Sequence, residues 1–149
     1  MPKIVVKPLD FVAGKLGAEV VEEPLGRIIK EVYNKDLRVI VIDPNLHPYK
    51  KRHLIAHGLA HHLFYRSRRT NNFFEENEDF FQKMKVKEME KEAEVFAAYL
   101  LIPEEKLNAL LQQDWVKESL DPIPELAEEF LVSPHFMRKR LQLWEMHKM

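Results

Sequence analysis

Two histidines four residues apart, His57 and His61, stand in the stretch RHLIAHGLAHHLFY, residues 52–65. On a helix each residue advances about 100°, so the two side chains lie about 40° apart on one face, one turn from each other. Two imidazoles at this spacing can bind one metal ion. The pair also occurs often by chance and lies away from the middle of the apolar stripe, so two ordinary histidines on a partly exposed helix are the alternative.

A zinc ion needs at least one more ligand, and the helix predicted over residues 83–101 offers several carboxylates. Measured from Met89, its apolar residues occupy an arc from about −20° to 120°, and Glu90 lies inside that arc at about 100°. A carboxylate on a core-facing stripe must be paired or bind a metal, because burying it alone is costly. This favours Glu90 as the third ligand, with an ion pair to a lysine as the alternative. Glu94, at the edge of the arc, is predicted to hold a ligating histidine by its other ring nitrogen.

Hydrophobic periodicity and helix breakers predict the elements that position these residues. An amphipathic helix is expected over residues 7–17, a β-hairpin over 27–43 with its turn at 34–36, and a loop over 44–51. Helices are predicted over residues 50–65, 83–101, 104–113, 122–131 and 134–147, with a loop or broken helix over 66–82. Ser133 and Pro134 form a helix cap followed by a first-turn proline. One small sheet followed by helices indicates an α+β fold.

The composition limits the class of protein and the kind of metal ligand. The chain has 149 residues, 46% of them apolar, which suits one globular domain. It has no cysteine, so a metal must be held by His, Asp or Glu. No apolar run approaches the ~18 residues of a membrane span and no signal peptide is evident, so a cytoplasmic protein without a membrane partner is expected.

The charge pattern disfavours a general nucleic-acid binder. The net charge is −1, from 23 basic and 24 acidic residues. Charged residues make up 32% of the chain and only four residues are glycine, which is typical of thermophile-like composition.

Three stretches together resemble the ImmA/IrrE family of zinc metallopeptidases over nearly the whole chain. They are VIVIDPNLHPYKKRHLIAHGLAHHLF (39–64), EKEAEVFAAYLLIPEEKL (90–107) and ELAEEFLVSPHFMRKRL (125–141). The resemblance implies a single zincin-like domain over residues 1–149. Within it, residues 1–115 would carry the sheet and the metal site, and residues 116–149 would form a tail resembling a helix-turn-helix.

The resemblance also implies ligands, a cofactor and a partner. His57, His61 and Glu90 match the family's zinc ligands, and Glu94 matches its acidic or Asn position. One zinc ion is expected, with another divalent metal such as manganese, or an empty site, as alternatives. Family members are intracellular and several cleave a repressor, so a protein or peptide substrate is implied, with a helix-turn-helix repressor as one candidate. Neither the substrate nor the oligomeric state can be derived from the sequence.

Gly58 departs from the family pattern, in which a Glu at this position acts as the general base. A positioned general base typically accelerates the reaction by roughly 10²–10⁴-fold. We therefore predict that hydrolysis is impaired or lost. Glycine costs about 1 kcal/mol relative to alanine inside a helix, so local helix stability does not explain it. His62 is a candidate substitute base, although a structural role is favoured for it. Four acidic residues in the region after the helix are further candidates: Glu75, Glu76, Glu78 and Asp79.

Three functions therefore compete. The first is a metal-binding protein on a peptidase scaffold that binds a peptide along the edge of the 27–43 hairpin. The second is an active zinc endopeptidase with a substitute base. The third is a regulator that binds DNA or protein through residues 124–147, where Arg138, Lys139 and Arg140 form a basic run. Direct DNA binding is disfavoured because the rest of the chain is neutral to acidic.

Overall fold

The computed structural model describes residues 8–64 and 80–148, and this part of the chain has the predicted α+β fold. Its elements in chain order are α1 (Leu9–Lys15), β1 (Glu19–Glu22), β2 (Glu31–Asn34), β3 (Val39–Ile42), α2 (Pro48–Phe64), α3 (Phe80–Leu101), α4 (Glu104–Leu111), α5 (Asp114–Glu118), α6 (Ile123–Phe130) and α7 (Pro134–Lys148). None of the helices in the described ranges is both long and apolar enough to span a membrane.

The three strands form one mixed sheet in the order β1-β3-β2. β2 runs antiparallel to β3 with Glu31 opposite Ile42, which confirms the predicted hairpin with shorter arms than residues 27–43. β1 pairs parallel to β3 and was not predicted, because a strand of only four residues shows no clear alternation of apolar and polar positions. The central strand supplies two fully buried residues, Ile40 and Ile42, to the core.

α2, which carries the histidine pair, packs against β2, β3 and α1. Because neighbours cover several of its sides, every residue from Ala56 to His62 is buried. The alternative of histidines on a partly exposed helix is therefore wrong: His57 is 6% and His61 3% exposed. The position of the apolar stripe on the helix did not predict this burial, because α2 also packs its polar side chains against neighbouring elements.

A glycine at the end of α1 and an aspartate at the end of β3 fix the backbone before and after the sheet. α1 ends at Lys15, before Gly17, whose φ of 84° is in the left-handed region that glycine adopts without strain. At the end of β3, the Asp43 carboxylate accepts hydrogen bonds from the backbone N–H groups of Asn45 (2.9 Å) and Leu25 (3.2 Å). These bonds hold the pKa of Asp43 below its ordinary value and fix the turn that leads into α2.

The described chain separates into two compact units, within residues 7–97 and residues 98–149. In the second unit, the buried Arg140 of α7 donates to the carbonyl of Ile102 (2.9 Å) and to Glu104 (2.6 Å). These bonds join α7 to the start of α4. Residues 98–115 lie in the same unit as residues 116–149, and the predicted division after residue 115 stays a prediction. A single domain over residues 1–149 stays a prediction.

The remaining predicted elements of the tail are confirmed with small shifts in their ends. The Ser133 hydroxyl accepts the N–H of Phe136 at 3.1 Å, which is the predicted cap of α7. The short helix α5 was not predicted. Most of the loop predicted over residues 66–82, with Glu75, Glu76, Glu78 and Asp79, lies outside the described residues, and α3 begins at Phe80 rather than at residue 83.

Candidate metal centre

Three side chains from two helices converge on one point in the first unit. His57 Nε2 lies 2.6 Å from Glu90 Oε2, and His61 Nε2 lies 3.0 Å from Glu90 Oε1. One ligand atom from each residue lies within 4.8 Å of the other two. Both histidines are buried and the Glu90 side chain is 35% exposed. The structure therefore brings together the three residues singled out from helix geometry.

The donor set fits a divalent transition metal. Two imidazole nitrogens and one carboxylate oxygen are the ligand types that zinc takes from proteins without cysteine. Three protein ligands are also the number in catalytic zinc sites, which keep one coordination position open. The part of the chain described here thus contains a group that could hold one metal ion.

The charges of the cluster are strongly coupled. Burial disfavours protonation of His57, but its hydrogen bond to Glu90 and the nearby carboxylate of Glu31 outweigh burial and raise the pKa of His57 to about 10. Burial likewise raises the pKa of Glu90, but His57 and His61 oppose it and lower that pKa to about 2. Without metal, a charged imidazole is held between two carboxylates. A metal must displace this proton, because a ligating imidazole is neutral.

The metal-free protein should be most stable between about pH 4.5 and 6.5. The pKa of His57 is raised from 6.5, so its contribution is complete below 6.5 and is lost as the pH rises towards 10. The pKa of Glu90 is lowered from 4.5, so its contribution is complete above 4.5 and is lost as the pH falls towards 2. Urea unfolding of chelator-treated protein across this range measures both slopes. His57→Gln should flatten the alkaline slope, and equal stability at pH 6 and pH 9 in the unmodified protein would contradict the prediction.

Glu94 contacts a histidine one turn before the pair. Its two carboxylate oxygens lie 2.8 and 3.0 Å from Nε2 of His53. His53 is not a member of the three-residue group around Glu90. The role predicted for Glu94, to hold a ligating histidine, therefore stays a prediction, and the contact seen is a hydrogen bond that joins α2 to α3.

His62 uses both ring nitrogens to join three elements. Its Nε2 lies 2.7 Å from the carbonyl of Leu16, and its Nδ1 lies 2.6 Å from the hydroxyl of Tyr33. A carbonyl only accepts, so Nε2 donates to the Leu16 carbonyl, and in the neutral ring Nδ1 accepts the proton of the Tyr33 hydroxyl. His62 is 2% exposed. These contacts favour the structural interpretation of His62 over the role of substitute base.

We expect Tyr33→Phe to destabilise the protein by about 1–3 kcal/mol, because it leaves the buried Nδ1 of His62 without its hydroxyl donor. Urea unfolding measures the loss. Zinc affinity should not change, since this bond lies outside the three-residue group. A variant with normal stability but weakened zinc binding would instead favour a role for His62 at the metal site.

The surroundings of Gly58 and the position of Glu31 could not be predicted from the sequence. A Cβ at position 58 would lie 2.7 Å from Ile40 Cγ2 and 2.8 Å from Glu31 Oε1, closer than Cβ atoms come to their neighbours. Glu31 is buried on β2, on the same face as Tyr33, and its Oε2 lies 3.5 Å from His57 Nδ1. The only feature of the sequence that could have indicated the role of Glu31 is its spacing. It lies two residues before Tyr33 on a strand, so both side chains face the same side, towards α2. Close packing, rather than helix propensity, accounts for the glycine.

Comparisons with known proteins agree with this geometry. No curated protein matches the sequence. A transcriptional regulator from Mycobacterium tuberculosis has a similar solved structure, with a TM-score of 0.64 and 20% sequence identity. The match covers 89% of this chain but only 39% of the regulator, so the likeness concerns the fold of part of that protein. A peptidase family model, described as the IrrE N-terminal-like domain, matches residues 13–142, and the chain belongs to this family.

Proposed function

We propose that this chain is a zinc-binding, metallopeptidase-like protein in which peptide hydrolysis is impaired or lost. The observation that carries the proposal is the convergence of His57, His61 and Glu90 beside a position, Gly58, that has no side chain. When bound, zinc acts as a Lewis acid that lowers the pKa of a coordinated water to about 7. His57 and His61 would hold the ion through Nε2 and Glu90 through its carboxylate.

The missing carboxylate supports impaired hydrolysis. A general base must reach the water that it deprotonates, and Gly58 offers no group for this task. His62, the described alternative, has both nitrogens bonded to Leu16 and Tyr33. The lack of a side chain at residue 58 leaves the zinc donors in place, because that residue is not one of the three.

The partner in this proposal is a protein or peptide, with a helix-turn-helix repressor as a candidate from the family. β2 supports this, because in the described part of the chain it pairs only with β3 and lies at the end of the sheet order. An extended peptide can add to such an edge through main-chain hydrogen bonds. β2 also carries Glu31, whose carboxylate lies 3.5 Å from His57, so the strand with this edge contacts one of the proposed ligands.

Metal analysis tests the proposal most directly. Protein purified without added zinc should contain one equivalent of zinc by mass spectrometry, or take up one equivalent on titration. Zinc-loaded protein incubated with unfolded casein should show little or no cleavage. Absence of any zinc binding would overturn the metal part, and rapid cleavage that chelators stop would overturn the impaired-hydrolysis part.

Direct DNA binding is disfavoured, because only two of the three residues in the basic run 138–140 are exposed. Arg138 and Lys139 are exposed, but Arg140 is fully buried and its guanidinium stacks 4.2 Å from the Tyr99 ring. Two exposed charges make a weak electrostatic footprint. Fluorescence anisotropy with random duplex DNA at low salt should therefore show no binding, and salt-dependent binding would instead support the DNA-regulator alternative.

A further inference from the structure

The carboxylate of Glu31 lies directly behind one of the proposed zinc ligands. We propose that Glu31 is a positioning residue for His57 and that Gly58 provides the space that its carboxylate occupies. This inference rests on the proposed zinc site, because positioning a ligand has meaning only where that ligand binds metal. It concerns Glu31, which lies outside the three stretches that resemble the family, and Gly58, where the family has a general base.

The ring of His57 lies between two carboxylates. Its Nε2 faces Glu90 at 2.6 Å, on the side where His61 also points its Nε2. Its Nδ1 faces Glu31 Oε2 at 3.5 Å, in an ion pair that is not a hydrogen bond. A carboxylate next to the non-ligating nitrogen of a metal-bound histidine fixes the tautomer and the orientation of the ring and raises its basicity. Glu31 has the position for this task.

Burial makes the placement of Glu31 specific. Its side chain is 4% exposed, and that of His57 is 8% exposed. A buried carboxylate is costly unless a charged or hydrogen-bonding partner accompanies it, so the two groups stabilise each other. The alternation along β2 directs Glu31 and Tyr33 to the buried face, where both contact histidines of α2.

Glu31 does not replace the missing general base. A base must lie on the side of the ring where the metal and its water would be, next to Nε2 of His57 and His61. Glu31 instead lies at Nδ1, on the opposite side of the same ring. The carboxylate therefore acts through His57 and is not a catalytic residue.

Gly58 and Glu31 are coupled by their packing. A Cβ at position 58 would come within 2.8 Å of Glu31 Oε1 and within 2.7 Å of Ile40 Cγ2. Ile40 is fully buried and β-branched, so it has little freedom to move away. The flexible carboxylate of Glu31 must then give way, which would withdraw it from His57. A glycine at position 58 thus keeps Glu31 in place.

Zinc dissociation constants, measured by competition with a chromogenic chelator, test the proposal. Glu31→Gln keeps the shape of the side chain and removes its charge, and it should weaken zinc binding by about 10–100-fold. The matched control is Glu22→Gln on β1, where the carboxylate pairs with Lys51 near the surface, and it should leave zinc affinity unchanged. Unchanged affinity in Glu31→Gln overturns the inference while the zinc site stands. Failure of the unmodified protein to bind zinc overturns both.

Two further measurements separate positioning from general stability. In zinc-loaded protein with ¹⁵N-labelled histidine, Glu31→Gln should shift the Nδ1–H resonance of His57 and leave that of His61 in place. Gly58→Ala should weaken zinc binding in the unmodified protein but add no further loss in a Glu31→Ala background, because the displaced group is already absent. An unshifted His57 resonance, or equal losses in the two backgrounds, would refute the coupling.

Discussion

His57→Ala should reduce zinc affinity by more than about 100-fold, beyond the range that loss of an outer hydrogen-bonding partner produces. The substitution removes one of three donors and leaves His61 and Glu90, which as a pair form a much weaker chelate. Chelator competition, together with metal content after dialysis, measures the loss. His53→Ala, one turn earlier on α2 and paired with Glu94, is the matched control and should retain zinc.

Folding must be checked in this experiment, because His57 also separates two carboxylates. Removing one partner of a buried ion pair costs about 3–5 kcal/mol, so His57→Ala could lower stability as well as zinc affinity. Glu90→Gln gives a second test of the zinc site. Glu90 is only half-buried, so its replacement should disturb folding less, and the amide of glutamine is a poor zinc ligand. Folded Glu90→Gln or His57→Ala protein that keeps stoichiometric zinc at unchanged affinity would be incompatible with the His, His, Glu site.

Restoring a carboxylate at position 58 should raise peptide hydrolysis by about 10²–10⁴-fold, the usual contribution of a positioned general base. The single change Gly58→Glu is not sufficient, because its Cβ would meet Ile40 and Glu31. We expect that variant to be destabilised and only weakly active. Combining Gly58→Glu with Glu31→Ala removes the contact with the Glu31 carboxylate and leaves Ile40 as the remaining close neighbour.

The comparison uses saturating zinc, since loss of Glu31 should weaken metal binding. Two double variants are compared, both with Glu31→Ala: one carries Gly58→Glu and the other carries Gly58→Gln. The substrates are unfolded casein and a mixed fluorogenic peptide library. The glutamine variant has the same size but cannot act as a base. Equal rates for this pair would show that residue 58 does not limit hydrolysis, and a native protein as fast as the double variant would show that no base was lost.

Features of the site that depend only on the geometry of a single helix could be predicted from the sequence. The spacing of His57 and His61, and the angle of Glu90 on its own helix, depend only on helical periodicity. The burial of those histidines could not be derived in the same way, because it depends on which elements cover α2. β1 was missed for a similar reason, since its partners on β3 lie 20 residues later in the chain (Glu19 pairs with Val39) and its own four residues carry no strong pattern.

Residues whose roles depend on long-range contacts were the hardest to predict. His62 bonds to groups 46 and 29 residues earlier in the chain, Leu16 and Tyr33. Glu31 reaches His57 only because the register of β2 on β3 places it next to α2. The glycine at position 58 has an explanation only when that neighbour is known. Local sequence patterns therefore indicated the donors but not the groups that hold them.

The bond between His62 and the carbonyl of Leu16 bears on the choice of expression boundaries. A chain trimmed to residues 13–142, the extent of the family match, would begin in the middle of α1 and lose the buried Leu9. The first helix would then be too short to fix the Leu16 carbonyl, and the acceptor for the His62 ring would fray into solvent. Shortened versions of this protein should therefore start before Pro8.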